Sequence, residues 1–531
     1  MRQSIGAIAS SRVSRRGFLA GAGAVGLAAA GALSGCGPVS PEQSAGDVAV
    51  DGVPQTWDME CDVLVCGGGG AGSAVAYAAA AEGAEVLVLE SRDMTDLSST
   101  CICAGNYFAV GTDEQEAAGI EDDPDLAFDA IMEWGLCAYG SGHANREEVV
   151  RTYVDNSRDA YDLLKSLGIE FPAPIPYDGI EPPRVHTIDP AAMQRALLEG
   201  AEQAGATVLL NTEFTDLIVD GNDMVVGVRA KDSSGATIAV KARKGVALAT
   251  GGMSRCPDLL DECIPGLGGV DALSCEGHTG AGHYALLDIG GAIWGRNAES
   301  TVEGVPAREP VVAGHGVIMG TYGAIIVDMD GLRYVDESSA WSGERTRALL
   351  AKGKNPECGK YFNWQVWDQG LQDMMGEDDL FTVNESNIDT CIVADSVEEL
   401  AEKMGAPELP ATLAKYNEDM NNGGVDTVIH RTPASTGALA GSLMPLEVPP
   451  FYARGGIPVL SYTTTSSFYV NASCEVLNAR YQPVGGGRLR AVGELVTRSV
   501  TGDKYMTGSS ISTCVVLGLV AGRSLAGLED W

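Results

Sequence analysis

The alternation of apolar and polar positions is sharpest between residues 62 and 90. The apolar run Val63-Leu64-Val65-Cys66 enters Gly67-x-Gly69-x-x-Gly72, an alanine-rich helical stretch covers residues 73–81, and after Gly83 a second apolar run ends in Glu90. This order predicts strand, glycine turn, helix, strand and acid within about 30 residues, the unit that binds a dinucleotide. Gly67 makes the tight turn, Gly69 lets backbone amides approach a pyrophosphate, and Gly72 lets helix and strand pack closely; Gly70 and Ala71 complete the loop. The helix N-terminus adds partial positive charge. Glu90 is placed to accept from ribose hydroxyls and disfavours a 2′-phosphate, so NADP is not expected, while FAD and NAD both remain open.

The pattern predicts a cysteine-rich loop at 98–111, helices over 125–136 and 146–167, and an irregular arm over 171–183 with five prolines. A helix over 190–204 is N-capped by Asp189, and strands follow at 207–210, 217–220, 225–231 and 237–242. Residues 245–252 read as a buried strand ending in a glycine turn, with Thr250 and Gly251 bringing a second backbone loop to the nucleotide. A region of different character spans 299–443, and an apolar helix covers 511–525 after a loop at 505–510. No tandem repeat is visible.

Ser14-Arg15-Arg16-Gly17-Phe18-Leu19 before a short Ala/Gly-rich apolar run reads as a twin-arginine export signal. Leu33-Ser34-Gly35-Cys36 resembles a lipobox, so residues 1–36 are read as signal with lipid attachment and 37–57 as a flexible tether. The expected location is the cell envelope, with membrane contact through the lipid anchor. Formal charge is −37 over 531 residues, which repels nucleic acid. None of the thirteen cysteines forms C-x-x-C, so zinc ribbons, common ferredoxin runs and attached c-type haem do not fit. Cys101, Cys103, Cys256, Cys263 and Cys275 read as small buried hydrophobes, in preference to an iron–sulfur site; no metal site is assigned.

The order of motifs resembles the flavoprotein family of soluble fumarate reductases, urocanate reductases and 3-ketosteroid Δ1-dehydrogenases, over residues 58 to 528. Its carriers are the fingerprint ending in Glu90, Ala249-Thr250-Gly251-Gly252-Met253, Gly331-Leu332-Arg333-Tyr334-Val335-Asp336-Glu337, Pro450-Phe451-Tyr452-Ala453 and Ala491-Val492-Gly493-Glu494. The resemblance implies FAD and an α/β fold: a Rossmann-like FAD-binding domain over 58–298 and 444–531, with an inserted, smaller α+β capping domain over 299–443. It puts Gly67, Gly69, Gly72 and Glu90 on the ADP half, Thr100, Ala104 and Gly105 beside the flavin ring, a backbone contact to adenine at Phe214, the ribityl chain at Glu494, and Ser510 and Ile511 at the pyrimidine edge. Ser98-Ser99-Thr100 stands where membrane-bound relatives carry the histidine of S-H-T, so the flavin is expected to be non-covalent. Ser234-Gly235-Ala236-Thr237 looks like an FMN-attachment signature but reads as a hairpin turn.

The chain departs from the fumarate reductases at three cationic positions. The proton-donating arginine becomes Gly320, the substrate histidine Ser461, and the clamping arginine Tyr505. Losing charge-assisted partners costs a dicarboxylate about 1.5–3 kcal/mol each, so fumarate is not the expected substrate. Tyr505 matches a tyrosine that polarises the ketone in the ketosteroid dehydrogenases; Trp341 replaces a second catalytic tyrosine of that group. Tyr505 is the first catalytic candidate and Tyr322 and Tyr462 the next for proton transfer, with His315 and His278 nearby in the motifs. The reading is an exported FAD enzyme that reduces an enone-type C=C bond by hydride transfer, supplied by a separate cytochrome or membrane donor. A ketosteroid-type desaturase and an FAD electron carrier are the alternatives.

Overall fold

A computed structural model describes residues 52–134, 146–176, 181–272, 274–294, 301–304, 323–337, 343–356, 359–375, 391–431, 443–460, 466–502 and 506–531. The export signal and residues 37–51 of the tether lie outside these residues.

The fingerprint folds as its periodicity predicts. Strand β1 (Met59–Cys66), helix α1 (Gly70–Ala81) and strand β2 (Val86–Leu89) follow in order, and β1 and β2 pair in parallel with Val65 opposite Val88. Their apolar runs are continuous because both faces are covered; Val63 to Cys66 and Val86 to Leu89 are buried. The sheet has seven strands. From one edge the order is Thr207–Leu209, β2, β1, Thr237–Leu248, Val225–Lys231 and Glu213–Val219, and Leu489–Ala491 pairs in parallel with the far end of Thr237–Leu248.

The strands read at 237–242 and within 245–252 are one twelve-residue strand, Thr237–Leu248. The charged pair between them does not break it because both side chains find partners at the strand's margin. Arg243 bridges Asp62 (2.8 Å) and Glu85 (2.6 Å), and Lys244 Nζ donates to Ala526 O (2.7 Å). Conversely, the helical stretch at 146–167 is two helices, Arg146–Asp155 and Ser157–Ser166, broken at Asn156 (φ −99°, ψ 0°).

The terminal helix Ser509–Ala526 packs along α1 at backbone range. A Cβ on Gly518 would lie 2.8 Å from Ala74 Cβ, and one on Gly522 would lie 2.5 Å from Val75 O. Small residues on both helices therefore set the interaxial distance. The helix has the length and apolarity to cross a membrane, yet 72% of it is buried inside the fold.

A second sheet gathers Thr301–Gly304, Phe451–Leu460, Asn363–Asp368 and Ile325–Val327, with Cys391–Ala394 and Asp271–Ala272 also paired to Phe451–Leu460. It has its own apolar core, including Val366, Trp367, Leu400, Leu413 and Tyr452, with the Trp367 and Tyr452 rings stacked at 5.5 Å. Its central strand, Phe451–Leu460, falls in the stretch that the sequence reading grouped with the FAD-binding portion. A strand's local pattern fixes which faces are buried but not which sheet it joins.

Candidate active site

The site grows from the turn between β1 and α1. Gly67 has φ +109°, and a Cβ there would lie 2.3 Å from Ala249 O; a Cβ on Gly72 would lie 1.8 Å from Gly67 O. Both positions exclude any side chain, so the turn holds two strands and a helix in contact. Gly69 caps α1 without a side-chain hydrogen bond, leaving first-turn amides for an anion. Glu90 is buried, and its carboxylate accepts from Gly68 N–H (2.8 Å), Arg92 N–H (3.0 Å) and Ser91 Oγ (3.3 Å). The acid is thus fixed beside the glycine turn. Gln194 ties the turn to the following loop by donating to Gly68 O (3.3 Å) and Thr95 O (3.0 Å).

These groups open onto a cavity of about 360 Å³. Of the residues assigned to the cofactor from sequence, Gly67, Gly69, Gly70, Ala71, Glu90, Thr100, Phe214, Thr250, Gly251 and Glu494 line it. Gly72, Ala104, Gly105, Ser510 and Ile511 do not: Gly72 supports the turn from behind, Ala104 is exposed, and Gly105 (φ +78°) packs on Ile188 O. Tyr505, Tyr322 and Tyr462, together with His315, lie outside the described residues.

The polar inventory of the cavity fits FAD. Thr250 Oγ1, in the wall, is buried without a hydrogen-bond partner; Ser510 Oγ and Thr513 Oγ1, in the first turns of the terminal helix and outside the lining, are buried and unpartnered as well. That helix begins at Gly508 without a side-chain cap, so its free amides and partial positive charge are available to an electron-rich ring edge. An acid for a ribose, a helix N-terminus for a diphosphate, and a second carboxylate, Glu494, for a polyol form a set suited to an elongated dinucleotide. Among the described residues no cluster of three or more His, Cys, Asp or Glu could hold a metal.

The wall also holds a group that sequence periodicity did not single out. His278 is buried; its Nε2 lies 3.0 Å from Ser99 Oγ and 3.4 Å from Glu494 Oε2, and its Nδ1 lies 3.3 Å from Ser254 Oγ. Burial alone would lower its pKa, but the Glu494 carboxylate and the Cys275 sulfur outweigh burial and hold it above the ordinary imidazole value. Cys275, read from sequence as a small hydrophobe, lines the same cavity. The sequence reading had named His278 only as a secondary candidate near the family motifs. His283, on the helix Ala281–Asp288, is buried with both ring nitrogens unpartnered. Burial, reinforced by the charge of His278, brings its pKa down to about 3, so it is a neutral imidazole packed 5.7 Å from the Phe468 ring.

The fold and cavity define a flavoprotein built on a dinucleotide-binding sheet. A family profile described as an FAD binding domain matches residues 62–511, and the chain belongs to that family. It is an FAD-dependent oxidoreductase. It is 26% identical over 479 residues to a fumarate reductase (cytochrome) of Shewanella frigidimarina, covering 88% of this chain and 77% of the relative. It is 25% identical over 584 residues to a digoxin reductase of Eggerthella lenta, covering 97% of each. The open conformation of a flavocytochrome c3 fumarate reductase superposes with a TM-score of 0.71 at 24% identity, covering 88% of this chain and 78% of that one.

Proposed function

We propose that this protein is an exported reductase that delivers a hydride to a C=C bond conjugated with an uncharged carbonyl. The observation that carries this reading is the loss of the three cationic positions of the fumarate reductases, which here are Gly320, Ser461 and Tyr505. The relatives act, by their names, on a small dicarboxylate and on digoxin; without a cationic clamp the chain suits the uncharged kind of acceptor.

FAD, when bound and reduced, supplies the hydride. The chain's own residues do the rest. The amides of the α1 N-terminus hold the diphosphate, Glu90 the ribose and Glu494 the polyol. Tyr505 donates a hydrogen bond to the substrate carbonyl and so draws charge away from the β-carbon. Tyr322 or Tyr462 gives the proton to the α-carbon. The region over 299–443 acts as a cap that excludes water while the bond is reduced. Electrons enter from a separate donor protein at the membrane, where the lipidated Cys36 holds the enzyme.

The test is anaerobic. The reduced protein is mixed with fumarate, urocanate, aryl acrylates and steroid enones, and flavin reoxidation is followed by absorbance. The expected result is rapid reoxidation by an uncharged enone, slowed about 10²–10³-fold in Tyr505→Phe, with no response to fumarate. Rapid turnover of fumarate overturns the reading, and reoxidation by none of the panel transfers it to an electron carrier.

A further inference from the structure

The two glycines of the turn after Thr237–Leu248 each make room for one member of a charged pair. A Cβ on Gly251 (φ +73°) would lie 2.8 Å from His278 Nε2, and a Cβ on Gly252 would lie 2.5 Å from Glu494 Oε1. Ring and carboxylate thus sit side by side on the turn, with His278 Nε2 3.4 Å from Glu494 Oε2. Backbone bonds hold the histidine's segment there: Arg255 N–H donates to His278 O (3.0 Å) and Gly280 N–H donates to Gly252 O (3.3 Å). Both ring nitrogens face oxygens. Besides Glu494, Nε2 lies 3.0 Å from Ser99 Oγ, and Nδ1 lies 3.3 Å from Ser254 Oγ. A carboxylate only accepts, so the pair keeps a proton on Nε2. Ser254 Oγ, itself bonded to Ser274 Oγ, can accept or donate, so the ring gains or loses its second proton at Nδ1 without leaving its place.

What changes with that proton is charge, and the cavity needs positive charge. Among the described residues that line it, the carboxylates of Glu90, Glu213, Glu276 and Glu494 are set against Arg92, and FAD brings a diphosphate. A helix N-terminus is equivalent to about half a positive charge and does not balance them. The charged and titratable groups facing His278 are Glu494 from the 493–495 turn, Cys275 from its own loop, Arg255 from the segment after Thr237–Leu248, and His283 from the next helix. Glu494 and Cys275 favour the protonated ring and Arg255 opposes it.

We propose that His278 is a positioning residue of the FAD site: its imidazolium steadies Glu494, the carboxylate assigned to the polyol, and offsets the acids of the cavity, so that FAD binds with a proton on His278 and leaves more readily once the ring is neutral. The proton comes from solvent and no bond of FAD changes. A bound diphosphate favours the imidazolium, so the loaded protein keeps this proton to higher pH than the empty one. Affinity is therefore full on the acid side and is lost as pH rises through the titration of the loaded protein. Burial pulls the ring down, but Glu494 and Cys275 outweigh it, which puts the fall above about pH 6.5. The inference rests on the FAD site and not on the identity of the alkene, since binding is measured without an acceptor.

The experiment uses the full chain after FAD is removed. The Kd for FAD is measured by quenching of flavin fluorescence between about pH 6 and about pH 9, a window in which FAD's own groups do not titrate. Affinity is expected to fall about tenfold across it. Titration calorimetry in buffers of different ionisation enthalpy, which needs no variant, is expected to show proton uptake on binding in the middle of the fall and none at its acid end. His278→Gln, whose amide still donates to Glu494 but does not titrate, is expected to bind at every pH as weakly as the unmodified protein does at the alkaline end. Cys275→Ser, which removes the neighbouring thiol, is expected to keep the fall. A ring that served packing alone would weaken binding equally across the window when replaced. Absence of proton uptake, a fall retained in His278→Gln, a fall abolished in Cys275→Ser, or an equal loss at every pH each overturns the proposal.

Discussion

Glu90 illustrates how one side chain can fix a ligand choice. Its carboxylate already accepts from two backbone amides and a hydroxyl, so its position does not depend on the cofactor. What remains for the ligand is the capacity to accept from ribose hydroxyls with a charge-assisted bond, worth about 1.5–3 kcal/mol. Glu90→Gln keeps the shape, removes the charge and turns one acceptor into a donor toward the same ring of N–H groups. FAD affinity, measured by quenching of flavin fluorescence, is expected to fall about 10–100-fold, a larger loss than the drop in stability of the FAD-free chain that the misplaced donor causes. An affinity loss matched by an equal loss of stability would mean that the acid only holds the turn.

At the level of elements, the helix Ser509–Ala526 is the part whose packing leaves least room. Ala exceeds Gly in helix propensity by about 1 kcal/mol, so Gly522→Ala would stabilise an exposed helix. Here the new Cβ would meet Val75 O at 2.5 Å and Ala78 Cβ at 2.9 Å. Overpacking of this kind costs about 1–3 kcal/mol, and because backbone cannot turn aside as a side chain does, the clash outweighs the propensity. The expected result is a lower thermal midpoint, with FAD binding weakened as the first turn of the helix moves; a raised midpoint would show that the two helices can separate freely. The same elements show what was legible in the sequence. The β1–α1–β2 unit was readable because a strand buried on both faces, a glycine turn and an alanine helix each leave a local pattern. The join at Arg243 and Lys244 was not, because the partners that keep the strand going, Asp62, Glu85 and Ala526, are far away in sequence. The same limit hid the partners of His278: Ser99 meets it across 179 positions, and both lie in segments with no hydrophobic period to mark them.

At the scale of the whole molecule, the net charge of −37 sets a field that every charged ligand must cross. FAD carries a diphosphate, so its approach is opposed at long range even though the α1 N-terminus attracts it at contact. The two effects differ in reach. A helix terminus acts over about its first turn, whereas the summed field extends over a Debye length, about 30 Å at 10 mM salt and about 8 Å at 150 mM. Salt therefore removes the repulsion and leaves the local attraction nearly intact. Association of FAD with the FAD-free chain, followed by stopped-flow fluorescence, is expected to speed up as ionic strength rises from about 10 to 200 mM, with the dissociation rate almost unchanged. An uncharged enone should show no such dependence in its reaction with the reduced enzyme, whereas an anionic acceptor should share it. If FAD instead associates more slowly as salt rises, the field at the cavity mouth is positive despite the charge of the chain.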